Sequence, residues 1–367
     1  MPHRPAIRTA ALAATLAAAL CGCELADEPP QAATRPKSAA TRSAIVRYER
    51  TIHAMGIAPN LIVYAPDPDV AERWLDRGEE AVHQVDRLMS TYKPRSEVSR
   101  LNRTDAGVWQ PVSAELAYVL KLSRYLSTQS RGRFDITVRP LIELWKQAGR
   151  TGRLPTDLEI RAAKTRVGWQ AVELDELLLR VRFTRAGMSV DLGAVAKGFA
   201  VDRAVRAMQT AGATAGLVEA GGDLYAFGLK PGREKWQVGI RNPRAPAAAP
   251  PTAAEPALLN TLVVHDRAVV TSGHYERLSV IAGKRYSHIL DPVTGRPVDQ
   301  QIASVTVVAP TCALADGLAT AVAVMGPTDG LKLIEGLENT EALVYLDDGP
   351  GSPLRPLRTP GLAPLED

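Results

Sequence analysis

Residues 312–320 read CALADGLAT, an apolar run broken by Asp316 and, four places on, by Thr320. A helix of this composition has to be buried, so the chain must surround it with other elements. At i and i+4 the carboxylate and the hydroxyl share one face. Burying Asp316 unpaired costs several kcal/mol, so something must compensate it. A helix cap or a satisfied core polar pair is one answer, and a hard cation is the other. Carboxylate and hydroxyl oxygens suit Mg2+ or Ca2+ rather than a soft metal. Mg2+ takes few protein carboxylates, because waters and substrate phosphates complete its octahedron.

The elements available to cover such a helix are mixed. Apolar residues at 70, 74, 75, 82, 85, 88 and 89 follow helical spacing from Val70 to Met89, and Leu116 to Leu126 is similar. LIVYA (61–65), VELDE (172–176), WQVGI (236–240), LLNTLVVH (258–265) and SVTVVA (304–309) read as strands. Residues 191–208 start as a glycine-containing turn and continue as a helix. Strands and helices do not alternate steadily, as a doubly wound sheet requires. The expectation is an α+β fold of mixed, largely antiparallel sheets with packed helices, spanning 45–348. The stretch NPRAPAAAPPTAAEPALLN (242–260) is too rich in proline for a helix and reads as a surface loop. The Pro-rich tail, 349–367, is expected to be loosely ordered.

The first residues, MPHRPAIRTAALAATLAAALCGC, combine a basic start with an apolar Ala/Leu run shorter than the roughly 20 residues a bilayer needs. The segment therefore reads as a signal peptide. Leu20-Cys21-Gly22-Cys23 resembles the bacterial lipobox, which makes 1–22 a lipoprotein leader and Cys23 the lipidated first residue; a plain secretory signal is the alternative. Residues 23–44, polar and rich in Pro, Ala and Thr, then form a flexible tether. Cys312 is left as the one remaining thiol, so no intramolecular disulfide can form. The formal charge of +4 falls to about +2 once Arg4 and Arg8 leave with the leader. With 5% aromatic residues and no basic stripe, no nucleic-acid partner is expected.

Several motifs could carry chemistry, and each has a plain structural alternative. DLGAVAKGFAVDRAV (191–205) places small residues and Lys197 at a helix start, where free amides attract anions, yet taken alone such a start more often reflects packing. It is not a P-loop, since GxxxxGK[ST] is absent. EAGGDLYAFG (219–228) is either ordinary hairpin chemistry or a backbone surface for a flat ring. VVTSGHYER (269–277) offers Thr271 and Ser272 in a tight loop, and YSHILDPVTGRPV (286–298) contributes His288. Neither HExxH nor a G-x-S-x-G elbow is present.

Taken in order, MSTYKPRSEVSRLN (89–102), FDITVRPLIELW (134–145), DLGAVAKGFAVDRA (191–204), EAGGDLYAFG (219–228), TSGHYER (271–277), HILDPVTGRP (288–297) and ADGLATAVAVMG (315–326) resemble the ApbE-type FAD:protein FMN transferases of the bacterial periplasm. The resemblance runs from about residue 55 to 326 and implies an ApbE-like fold related to the T-fold. It further implies that FAD is the substrate and Mg2+ the cofactor. FMN is then transferred to a Thr or Ser hydroxyl of exported acceptor flavoproteins, and AMP leaves. Carried over, Asp316 and Thr320 are side-chain metal ligands and Ala194 ligates through its carbonyl. Met55, Tyr92, Arg133, Phe134, Asp135, Asp191, Lys197 and Leu290 line the FAD site. Gly221, Gly222, Thr271 and Ser272 border the isoalloxazine and the reacting phosphate. His288, whose unperturbed pKa is about 6.5, is the candidate base that joins Asp316 in catalysis.

Two positions depart from the family pattern: His274 within TSGxY, and Glu219 where Asn is common. Two other activities fit the same residues. One is an FAD pyrophosphatase giving FMN and AMP, and the other a non-enzymatic FAD-binding lipoprotein. The expected location is the cell envelope, lipid-anchored and facing the periplasm. The acidic Glu24 after Cys23 favours the inner membrane over the outer.

Overall fold

The β-patterned runs pair with one another in chain order. In the computed structural model, which describes residues 44–245, 257–273, 278–298, 301–349 and 351–366, eight strands form one sheet. They are β1 (Val46–Thr51), β2 (Asn60–Ala65), β3 (Gly216–Ala220), β4 (Asp223–Phe227), β5 (Arg267–Gly273), β6 (Ile302–Ala309), β7 (Glu341–Leu346) and β8 (Arg355–Arg358). Across the sheet these eight strands follow chain order, with other elements inserted between some of them, and every pairing is antiparallel. Helices enter as insertions. α1 (Pro68–Met89), α2 (Glu97–Leu101), α3 (Ala114–Gln129), α4 (Arg139–Thr151), α5 (Asp157–Lys164) and α6 (Ala196–Thr210) all lie between β2 and β3. α7 (Cys312–Met325) and α8 (Pro327–Glu335) lie between β6 and β7. The α+β expectation with largely antiparallel sheet is borne out.

Period-two alternation splits each strand between two cores. Leu61, Val63, Val218, Val270, Val305, Val307 and Val344 face the helices, together with Leu75 and Val82 of α1, Val201 of α6 and Leu318 of α7. Ile62, Ala226, Val269, Val308 and Leu343 face the other way, where a hairpin of Trp236–Arg241 with Leu258–Val264 covers them. β6, covered on both faces, is buried along its whole length. The start of α1 is set by Asp67, whose carboxylate accepts the Val70 N–H, and by Pro68 in the first turn. A satellite cluster of Leu141, Trp145, Ile160, Ile281 and Leu290 joins α4 and α5 to two small hairpins. It is tied to the main body by Arg133–Asp291 at 2.7 Å.

The tail departs from expectation. Arg355–Arg358 adds the edge strand β8, running from Leu346↔Arg355 to Leu343↔Arg358, and Leu362 is fully buried beside Leu343 and Tyr345. Proline argued for looseness, but a sheet edge is where a missing N–H is tolerated, and Pro356 sits there opposite Tyr345. The folded domain therefore runs past 348 to the last described residue, Glu366. The leader, Cys23, all of the tether but Ala44, residues 246–256 of the Pro/Ala-rich stretch, and 274–277 with His274 lie outside the described residues. The ends of that stretch are held by Asn242 N–H donating to Ala257 O at 2.9 Å.

Replacing Leu362 by Ala is expected to cost about 2–4 kcal/mol in urea unfolding. A change below about 0.5 kcal/mol, the size of an ordinary surface substitution, would show that the tail adds nothing to the core.

Candidate active site

The first turn of α6 lacks a side-chain cap of its own, since its N-cap is Val195. As the third residue of the helix, Gly198 carries one of the first-turn amides that have no carbonyl partner within a helix. Here it turns to Asp316 Oδ2 at 3.3 Å. No backbone donor takes the Ala194 carbonyl among the described residues. The favour is returned from α6: the Cys312 and Ala313 amides at the start of α7 donate to Asp202 Oδ1 and Oδ2 at 2.7 and 2.9 Å. Each helix thus caps the other. The contact is close because position 198 is glycine: a Cβ there would lie 2.3 Å from the Cys312 carbonyl oxygen. Two helix N-termini, each an anion-attracting end, converge at one point.

Charge is concentrated there. Lys197 Nζ lies 3.0 Å from Asp223 Oδ2 and 3.2 Å from both oxygens of Asp316. Asp223 and Asp316 are 1% and 2% exposed. Burial, then the Asp316 charge, pushes the Asp223 carboxyl well above the usual range, with Lys197 opposing. Burial alone would lower the Lys197 pKa, but Asp223 and Asp316 together raise it, so the ammonium stays charged. Burial also pushes Asp202 up to about 7, against the two amide bonds that favour its ionised form. Two carboxyl groups, Asp223 and Asp316, share the one Lys197 ammonium.

The oxygens fit a hard cation. Ser123, Ser127 and Thr128 on α3 donate to carbonyls one turn back, whereas Thr320 Oγ1 has no protein partner among the described residues. The Thr320 hydroxyl, the Ala194 carbonyl and the Asp316 carboxylate are hard donors, matched to Mg2+ with water and phosphate in the remaining positions. No group of three or more His, Cys, Asp or Glu able to hold a metal occurs among the described residues.

The other expected residues are spread over several elements. Gly221 and Gly222 form the two-residue turn between β3 and β4 with φ of 63° and 90°, a left-handed pair that glycine adopts freely. Glu219 closes the turn by accepting the Gly222 N–H at 2.8 Å, which gives that departure a structural role. Gly222 O accepts the Thr271 N–H at 2.9 Å. Alternation along β5 puts Ser272 on the helix-covered face with Val270, but Thr271 on the opposite face with Val269, where its hydroxyl is 2.9 Å from that of Thr306. Met55, at φ 55°, sits in the turn bridged by Ala54 and Ile57, and Ile57 packs beside Gly221.

Asp191 accepts the Gly193 N–H at 2.9 Å and donates its own to Ile136 O at 2.8 Å. It thereby ties the loop before α6 to the Arg133–Ile136 strip. Within that strip Phe134 is buried, and Asp135 is committed to Thr137 and Trp169. Tyr92, 81% exposed, lies under Lys146 with the ammonium 5.6 Å from the ring centre. Leu290 is buried in the satellite cluster, while His288 is exposed beside it, just after the strand Lys284–Ser287. Asp202 and Asp223 escaped the sequence reading. Their one signal was an acid within a largely apolar stretch, beside Arg203 in AVDRAV and after the glycines in GGDLYAF.

Lys197→Met removes the ammonium between two buried carboxylates and is expected to destabilise by about 3 kcal/mol at pH 8. The raised Asp223 pKa sets the sign: its protonation is favoured in the folded state, so the deficit shrinks as pH falls towards 5. Urea titrations of both proteins at the two pH values check this, and an equal deficit at both contradicts it.

Known proteins resemble this chain in sequence and in fold. Residues 55–344 match the ApbE family. The chain is 33% identical over 300 residues to the FAD:protein FMN transferase of Vibrio cholerae, covering 80% of this chain and 86% of that protein. It is 32% identical over 323 residues to that of Klebsiella pneumoniae, covering 86% of each. Among solved structures, the apo flavinyl transferase ApbE of Pseudomonas stutzeri aligns with a TM-score of 0.75 and 29% identity, covering 88% of this chain and 97% of that one. The ApbE protein of Thermotoga maritima gives 0.75 and 31%, covering 88% and 100%. Sequence and fold agree over nearly all of the folded chain, and the chain belongs to the ApbE family.

Proposed function

We propose that this protein transfers the FMN moiety of FAD to a Thr or Ser hydroxyl of target flavoproteins and releases AMP. The observation that carries the reading is the meeting of the α6 and α7 starts, where the Asp316 carboxylate, the Thr320 hydroxyl and the Ala194 carbonyl offer hard oxygens suited to a divalent cation. The family relatives named FAD:protein FMN transferase support it. The acceptor oxygen bonds to the FMN phosphorus, the bond from that phosphorus to the bridging oxygen breaks, and the electron pair leaves with AMP. His288 takes the hydroxyl proton. Asp316, Thr320 and the Ala194 carbonyl would hold a Mg2+ ion, which would supply charge neutralisation at the pyrophosphate.

The chain's own groups do the positioning. Lys197 keeps Asp223 and Asp316 in place. The Gly221-Gly222 turn and Ser272 border the reacting end, while Met55, Tyr92, Arg133, Asp191 and Leu290 hold the rest of FAD. Thr271 contributes through its amide bond to Gly222. Lipidation at Cys23 anchors the protein in the cell envelope, facing exported acceptors in the periplasm.

The test is incubation of the protein with FAD, Mg2+ and a purified acceptor flavoprotein domain, reading acceptor mass and AMP together. A mass gain equal to FMN, abolished by chelation and by Asp316→Ala, is expected. AMP with free FMN and an unlabelled acceptor would point instead to a pyrophosphatase. Full activity in His288→Asn would remove that residue as the base.

A further inference from the structure

We propose that Asp202 is a positioning residue for the cation site: it fixes α7 against α6 and so sets where Asp316 and Thr320 stand relative to the Ala194 carbonyl. The proposal rests on the reading that those three residues hold the cation, and it adds a residue that touches neither cation nor substrate.

The argument is geometric. Gly198 and Asp202 are i and i+4 on α6, so they share the face turned to α7. Cys312 and Asp316 are i and i+4 on α7 and share the face turned back. The two pairs are cross-linked at both ends: Asp202 accepts from Cys312 N–H and Ala313 N–H at 2.7 and 2.9 Å, and Asp316 accepts from Gly198 N–H at 3.3 Å. The Asp202 half is the shorter and engages both carboxylate oxygens. Backbone contact at Gly198 and Cys312 blocks closer approach, so the carboxylate bonds resist separation while the contact resists compression. A slide or tilt of α7 against α6 has to break the Asp202 bonds. Such a tilt carries Asp316 and Thr320 away from Ala194, which belongs to the other helix start. Ala194 cannot follow, because the backbone bonds from Val195 and Ala196 to Leu192 O hold its loop.

Outer partners that orient ligands typically contribute 10–100-fold in metal affinity. The experiment uses the full chain with Cys21→Ser and Cys23→Ser, which leaves Cys312 as its one thiol. Two quantities are read in Asp202→Ala and Asp202→Asn: the rate at which an aromatic disulfide reagent modifies Cys312, and Mn2+ affinity by electron paramagnetic resonance. Cys312 is fully buried, so its modification reports opening of the clasp without reference to any metal.

The expected result is faster modification and an Mn2+ dissociation constant raised about 10-fold or more in Asp202→Ala, with Asn intermediate because it keeps one acceptor oxygen. Thr311→Ala removes the cap that α7 supplies to itself, the Leu314 N–H bond to Thr311 Oγ1 at 3.4 Å. It should lower the melting temperature yet leave Mn2+ affinity within about twofold, since the clasp survives. Equal weakening by Thr311→Ala would overturn the proposal, because affinity would then follow fraying of α7 and not its tie to α6. Unchanged Mn2+ affinity in Asp202→Ala, with Asp316→Ala impaired, would overturn the proposal alone. Wild-type affinity undiminished in Asp316→Ala would overturn the cation site and this inference with it.

Discussion

Everything in this site depends on two helix starts capping each other. α6 and α7 each begin with amides that no residue of their own turn fully satisfies, and each borrows a carboxylate from its neighbour. The exchange satisfies hydrogen bonds that would be expensive to leave unmade in a buried contact. It also has a chemical by-product. The Gly198 N–H pins Asp316 where Thr320 stands one turn beyond it, and the Ala194 carbonyl, just ahead of α6, meets no backbone donor among the described residues. Packing and chemistry are therefore settled by the same bonds.

The sheet makes this meeting possible. Because its strands lie in chain order, the long insertion between β2 and β3 ends with α6, and the shorter one between β6 and β7 starts with α7. Both cover the same face. β4 starts directly beneath, after a glycine turn that only a left-handed pair can make, and delivers Asp223 to Lys197. The cover on the opposite face, from the Trp236–Arg241 hairpin to Leu362, supports the strands.

Much of this was legible in the residues. The α1 and α3 periodicities located those helices, the Val/Ile-rich runs located their strands, and the Asp316–Thr320 spacing already marked one helix face. Asp202 and Asp223 were not legible, because their roles arise between elements far apart in sequence: a single acid in a helix or after a Gly-Gly turn has many ordinary uses. Thr271 and Ser272 looked equivalent, and only the pairing of β5 shows that they face opposite sides. The tail misled for a related reason. Proline density reports what an isolated segment prefers, whereas an open sheet edge and a vacancy for Leu362 are properties of the finished fold.

The most direct test of the account is a crystal of this protein grown with FAD and Mn2+, with the metal placed by its anomalous scattering. The account predicts one peak within about 2.5 Å of a carboxylate oxygen of Asp316, the Thr320 hydroxyl and the Ala194 carbonyl, touching the pyrophosphate. A well-occupied FAD with no peak there, or with the metal held by other residues, would contradict it.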